Sequence, residues 1–251
     1  ARLEPLVSPL LLRRSVSDVA SDLPEKIMVP QAVSLSAKSA EAYESLRRSI
    51  LEKYGPAGGL VSLTKLRMFC THPFLVSSDH GDPALFSTKY MRLLEILDEI
   101  KARLQTLLQT KNRLTLPISG TGSSGMENCF VNLVEDGDPV LILKNGVFGM
   151  RMTDLAERLR ADVDVLEFDW GTPVIVDAVK AKLAEKQYKI VAVVHAETST
   201  GVMNPVAEIS ELLSGTDTLF LVDCVTSLGG MPVKTDEWNV DVIYSGTQKC
   251  L

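Results

Sequence analysis

The sequence predicts an α/β fold over residues 99–251, with a mainly parallel sheet flanked by helices, preceded by a mostly helical segment over 1–98. Three observations predict it. Apolar runs of strand length lie near 114–118, 139–143, 163–167, 189–194, 218–222 and 241–244. Amphipathic stretches of helical period near 123–134, 149–161, 174–185 and 205–214 alternate with them, the pattern of a parallel sheet covered on both faces. Gly120, Asp223 and Lys249 all fall just beyond strand ends, where ligands bind in such sheets.

The first half reads as helices near 9–20, 37–54, 60–70 and 87–108, with an extended piece at 26–34. Ser36 and Ser87 stand where side-chain oxygens cap the second and last of these helices. Residues 54–59 and 77–83, rich in Gly, Pro, Ser and Asp, are loops. The second half opens with Leu116-Pro117-Ile118-Ser119-Gly120-Thr121-Gly122-Ser123-Ser124-Gly125, which reads as strand, glycine turn and helix start. Such a turn lets backbone approach an anion, and the first N–H groups of the helix then point at a phosphate. Gly120, Gly122 and Gly125 also spell the dinucleotide fingerprint, so a nucleotide-binding redox domain is an alternative. That reading calls for an acidic residue after the next strand, whereas Val140–Leu143 is followed by Lys144 and Asn145.

Lys249 follows a short apolar strand, in Tyr244-Ser245-Gly246-Thr247-Gln248-Lys249, and Asp223 ends another, in Leu221-Val222-Asp223. One ammonium and one buried carboxylate, each at the mouth of a strand, are what an enzyme needs to hold pyridoxal phosphate. The lysine, once neutral, condenses with the aldehyde, and the carboxylate keeps the pyridine nitrogen protonated so that the ring takes up the electrons of a carbanion.

From about residue 97 onward the chain resembles the class V, fold type I aminotransferases of the alanine–glyoxylate and serine–glyoxylate group. The matching stretches are Gln109-Thr110-Lys111-Asn112, Ser119-Gly120-Thr121-Gly122, Asn145-Gly146-Val147-Phe148-Gly149, Glu197-Thr198-Ser199-Thr200-Gly201-Val202, Val222–Gly230 and Tyr244–Lys249. The resemblance implies part of a pyridoxal-phosphate-binding large domain over 99–251. It implies Lys249 as the Schiff-base lysine and Asp223 as the partner of the pyridine nitrogen. Thr121, Gly122, Ser123 and Gln248 would hold the phosphate, Phe148 would stack on the ring, Thr198 would lie near the ring oxygen, and Ser227 close to the site. It further implies small amino-acid and keto-acid substrates, alanine or serine with glyoxylate, and a homodimer. The arginine that grips the substrate carboxylate in that group belongs to a C-terminal small domain. The sequence ends two residues after Lys249, so transamination is expected to be impaired.

Residues 9 to about 98 resemble the inter-lobe part of a SNF2-family DNA translocase, in Leu11-Leu12-Arg13-Arg14, Leu23-Pro24-Glu25-Lys26 and Leu66–Leu75. The chain then reads as a fusion, with the junction inside the helical stretch 93–104, and a non-catalytic translocase fragment is the other alternative. Neither half is basic. Residues 1–110 carry 14 Lys and Arg against 12 Asp and Glu, and 111–251 carry 12 against 20, so no nucleic-acid partner is expected. Four cysteines without C-x-x-C spacing and three histidines predict neither metal site nor disulfide, and a reducing compartment. No apolar run reaches the roughly eighteen residues of a membrane span. The expected location is the cytoplasm, with the peroxisome, where the resembling family also occurs, as the alternative.

Residues 1–98 carry no G-x-x-x-x-G-K-[ST] loop and no acidic metal motif. Phosphate release from ATP in the presence of DNA is therefore expected at the level of a buffer blank. Robust DNA-stimulated hydrolysis that survives repurification would contradict this.

Overall fold

The structure, a computed structural model, describes residues 29–76 and 86–250, so the helix expected near 9–20 lies outside the described residues. The chain divides into two compact units, 1–92 and 93–251, and the division falls inside a helix.

In the first unit, α1 (Ala37–Tyr54) and α2 (Gly59–Thr71) are joined by a 3-10 turn at Gly55–Gly58. Ser36 caps α1, its Oγ accepting the Ser39 N–H at 3.2 Å. Ser87 does the same for α3 (Thr88–Leu107), accepting the Tyr90 N–H at 3.2 Å. Ile50 and Phe69 are buried, and Tyr43 meets Phe69 edge-on at 6.0 Å between ring centres. Of the expected extended piece, residues 29–34 pair with no strand.

The second unit runs α4 (Gly122–Leu133), β1 (Pro139–Lys144), α5 (Val147–Arg158), β2 (Asp162–Glu167), α6 (Val176–Leu183) and β3 (Ile190–Val194). A hairpin of β4 (Ala196–Glu197) and β5 (Val202–Met203) follows, then α7 (Val206–Leu213), β6 (Leu219–Asp223) and β7 (Val242–Tyr244). Five strands form one sheet in the order β2-β1-β3-β6-β7, and every pair in it is parallel. Period-two alternation divides the side chains between two layers. Val140, Ile142, Ile190, Ala192, Val194 and Leu221 pack with Met126 and Phe130 of α4 and Met152 and Ala156 of α5. Leu141, Leu143, Val191, Val193, Phe220 and Val222 pack with Val179 of α6 and Val206, Ile209 and Leu213 of α7. Both faces are thus covered, which is why the strands read as unbroken apolar runs.

One expected strand is absent. Residues 114–118 form no ladder, and Leu114, Leu116 and Ile118 are exposed while Thr115 is buried. Asn112 turns the backbone here. Its Oδ1 accepts the Leu114 N–H at 2.9 Å, and its carbonyl accepts Thr115 Oγ1 at 2.8 Å and Gln105 Nε2 at 2.7 Å. An Asx turn of this kind satisfies locally the groups that a strand would offer to a neighbour.

β1 has β2 on one side and β3 on the other, so the winding reverses between β1 and β3, and the crevice beyond their ends is the topological switch point. A buried amide pair closes it. Asn204 Nδ2 donates to Val194 O at 2.7 Å, and its Oδ1 accepts the Val174 N–H at 2.9 Å and Asn145 Nδ2 at 2.8 Å. Asn204→Ala should cost about 3 kcal/mol in urea unfolding, because it strands a buried carbonyl, an N–H and an amide together. A loss below about 1 kcal/mol would show that the network does not hold the switch point.

Candidate active site

Asp223 is the last residue of β6, and the parallel register pairs it with Tyr244, the last residue of β7. Its carboxylate is 3% exposed and has two donors. The Tyr244 hydroxyl donates to Oδ2 at 2.7 Å and the Val225 N–H to Oδ1 at 2.8 Å. Both donors are neutral, and among the described residues no Lys or Arg forms an ion pair with it. Burial pushes the Asp223 carboxyl up to about 6, and the nearby Glu197 charge adds to that, while the two hydrogen bonds pull it down. The Tyr244 phenol, buried and facing that carboxylate, is held well above its ordinary value. The Cys129 thiol is raised to about 11 by burial and then by Asp223.

The start of α4 lies close by. Thr121 caps the helix, its Oγ1 accepting the Ser124 N–H at 3.4 Å, and the N–H groups of Gly122 and Ser123 precede the first intrahelical bonds. Gly122 is needed for closeness: a Cβ there would lie 3.0 Å from Val225 Cγ2 and 3.1 Å from Gln248 Nε2. The turns that follow β6 and β7 therefore converge on the backbone of the helix start. Gly125 lets the next turn of α4 sit on Tyr244, where a Cβ would be 3.3 Å from the tyrosine Cβ. Arg151, on α5, donates from Nη1 to Ser123 Oγ at 3.1 Å.

Of the residues singled out in the sequence, Thr121, Gly122, Ser123 and Gln248 thus gather at one helix N-terminus. Lys249 is the next residue after Gln248, exposed in the turn beyond β7, and makes no ion pair or hydrogen bond with the described residues. Thr198 shares a short hydrogen bond with Thr226, in the turn after Asp223. Phe148 is half-buried at the start of α5 against the α4 layer, and its N–H donates to Glu197 at 3.3 Å. Ser227 is fully buried in the turn after β6. Two residues escaped the reading of the sequence as functional, Tyr244 and Glu197. Tyr244 had a signal, since a phenol at the end of a buried strand needs a partner. Glu197 had none that separates it from a surface acid. Where a dinucleotide site would need a carboxylate, Lys144 is ion-paired to Glu167 at 3.0 Å and Asn145 is buried in the amide network.

Residues 86–251 match the family described as aminotransferase class-V. The chain is 44% identical over 156 residues to (S)-ureidoglycine–glyoxylate transaminase of Bacillus subtilis, covering 62% of this chain and 38% of that protein. It is 40% identical over 159 residues to alanine–glyoxylate aminotransferase of Rattus norvegicus, covering 63% of this chain and 38% of that protein. The crystal structure of an alanine–glyoxylate aminotransferase from Nostoc sp. superposes with a TM-score of 0.60 at 44% identity, over 61% of this chain and 41% of that one. The chain therefore spans about two fifths of the length of these relatives. Among the described residues no helix is long and apolar enough to cross a membrane, and no cluster of His, Cys, Asp and Glu could hold a metal ion.

The raised Asp223 carboxyl has a consequence for stability. Its folded-state value lies above the unfolded one, so the stability that its proton confers is complete below about pH 4 and is lost as the pH rises through about 6. Asp223→Asn cannot ionise. In urea unfolding without added ligand, the wild type should lose on the order of 2 kcal/mol relative to that variant between pH 4 and 7. Parallel pH profiles for the two proteins would contradict the raised value.

Proposed function

The chain belongs to the class-V aminotransferases, and from that premise we propose that it binds pyridoxal phosphate and transfers the amino group of a small amino acid, alanine or serine, to glyoxylate. The observation that carries the proposal is the cationless buried carboxylate of Asp223 beside a helix N-terminus with free N–H groups. The residues fit the cofactor. Asp223 keeps lone pairs for a ring N–H, and a pyridinium is the cation that this carboxylate lacks. The Gly122 and Ser123 N–H groups, the Thr121 and Ser123 hydroxyls and the Gln248 amide are donors of the kind that hold a phosphate. Both relatives named above act on glyoxylate by their names, which supports it as the amino acceptor.

Bound there, pyridoxal phosphate supplies an aldehyde that captures amino groups and a ring that takes up the electron pair released at the substrate α-carbon. Lys249 Nζ would be the amine for that aldehyde and the base that moves the α-proton. The Asp223 carboxylate would hold the ring proton in place, with the Tyr244 and Val225 donors fixing it against rotation. Phe148 would stack on the ring, and Thr198, hydrogen-bonded to Thr226, would lie near the ring oxygen. Ser227, in the turn after Asp223, would lie close to the site. For residues 1–98 the proposal is a non-catalytic helical piece related to the SNF2-family translocases.

Adding pyridoxal phosphate to the chain should raise a visible absorbance band, and borohydride should then fix the label on the peptide carrying Lys249. Lys249→Ala should lose the labelled peptide altogether. Label on another lysine, or an unchanged yield in the variant, would overturn the assignment.

A further inference from the structure

Helix α5 begins at the switch point without a cap of its own. Its N-cap is Gly146, which has no side chain to offer the first N–H groups, and Phe148 is the second residue of the helix. The missing acceptors come from the hairpin that follows β3. Ser199 Oγ accepts the Val147 N–H at 3.0 Å, and the Glu197 carboxylate accepts the Phe148 N–H at 3.3 Å. The same carboxylate accepts the Ser199 hydroxyl at 2.7 Å and the Ser199 N–H at 3.1 Å, so one acid ties both caps together.

Glu197 is built in tightly. It is 0% exposed, and it lies so close to Gly146 that a Cβ there would come within 2.5 Å of its Cδ and 2.6 Å of Ser199 Oγ. Among the described residues no cation pairs with it. Its charge is met by N–H and O–H donors and by the positive end of α5. Its register partner in the hairpin is Val202, so the acid is presented from a short two-stranded element outside the main sheet.

We propose that Glu197 is a positioning residue for the ring site: it caps α5 from the neighbouring hairpin and thereby fixes the aromatic ring of Phe148 where it covers the cofactor. The inference rests on the reading of this crevice as a pyridoxal phosphate site and adds a residue that acts through Phe148. It does not touch the reacting atoms.

The test is a double-mutant cycle on binding, with pyridoxal phosphate titrated by absorbance and by its induced circular dichroism into the full chain. The four proteins are wild type, Glu197→Gln, Phe148→Ala and the double variant. Glu197→Gln keeps the shape and weakens the cap, and should raise the dissociation constant about tenfold and reduce the induced signal. Placed on Phe148→Ala, the same change should have less than about a twofold effect, because the residue through which it acts is gone. Equal effects in both backgrounds, or wild-type affinity in Glu197→Gln, would overturn the inference. If Glu197→Gln fails to fold, Ser199→Ala replaces it in the cycle, since it removes only the hydroxyl that bridges Val147 and Glu197, and the same non-additivity decides. A wild type that binds no pyridoxal phosphate brings down the reading of the site, and this inference with it. Binding with additive effects brings down the inference alone.

Discussion

A carboxylate taken out of water without a cation is among the less favourable groups that a protein can bury, and Asp223 is one. Its 3% exposure, a phenol at 2.7 Å and one N–H at 2.8 Å leave it short of compensation. Much of the second unit converges on that group. The parallel register of β6 and β7 sets Tyr244 opposite it, Gly125 lets α4 close on Tyr244, and Gly122 lets the turns after β6 and β7 meet the same helix start. A site that binds a cationic ring beside an anionic phosphate needs a carboxylate and free N–H groups close together, and here the end of β6 supplies the one and the start of α4 the other.

What positions these groups is long-range and mostly polar. The crevice beyond β1 and β3 is kept in shape by Asn145 and Asn204, which bridge two strand ends and the 172–174 loop with five hydrogen bonds, all but one of them buried. The hairpin after β3 reaches across to α5, whose first turn would otherwise end in unpaired donors. Buried polar groups of this kind stabilise only when every partner is present, which makes the crevice cooperative: loss of one amide or acid disturbs several neighbours.

The sheet was legible because its inner strands are buried on both faces, so that Val140–Leu143, Ile190–Val194 and Phe220–Val222 read as continuous apolar runs. The Ser36 and Ser87 caps were legible for a local reason, a hydroxyl three residues before the N–H it accepts. Leu114, Leu116 and Ile118 misled because alternation looks the same whether or not a partner strand exists, and Asn112 had already turned the chain. Thr121, Gly122, Ser123 and Gln248 were named together only through the family resemblance, and Gln248 meets Gly122 across about 125 residues. The pairing of Asp223 with Tyr244 depends on a register between strands about twenty residues apart, and the capping of α5 by Glu197 on a contact across about fifty, neither of which leaves a periodic trace.

Asp223 is a buried carboxylate without a cation among the described residues of the free chain. The most direct measurement is a pH titration of the aspartate carboxyl carbons by nuclear magnetic resonance, with Asp223→Asn to assign the signal, without and with pyridoxal phosphate. The account predicts a midpoint near 6 in the free chain and a fall of more than one pH unit on binding, as the ring nitrogen supplies the missing charge. A midpoint at the ordinary carboxylate value in the free chain, or one that the cofactor leaves unmoved, would contradict it.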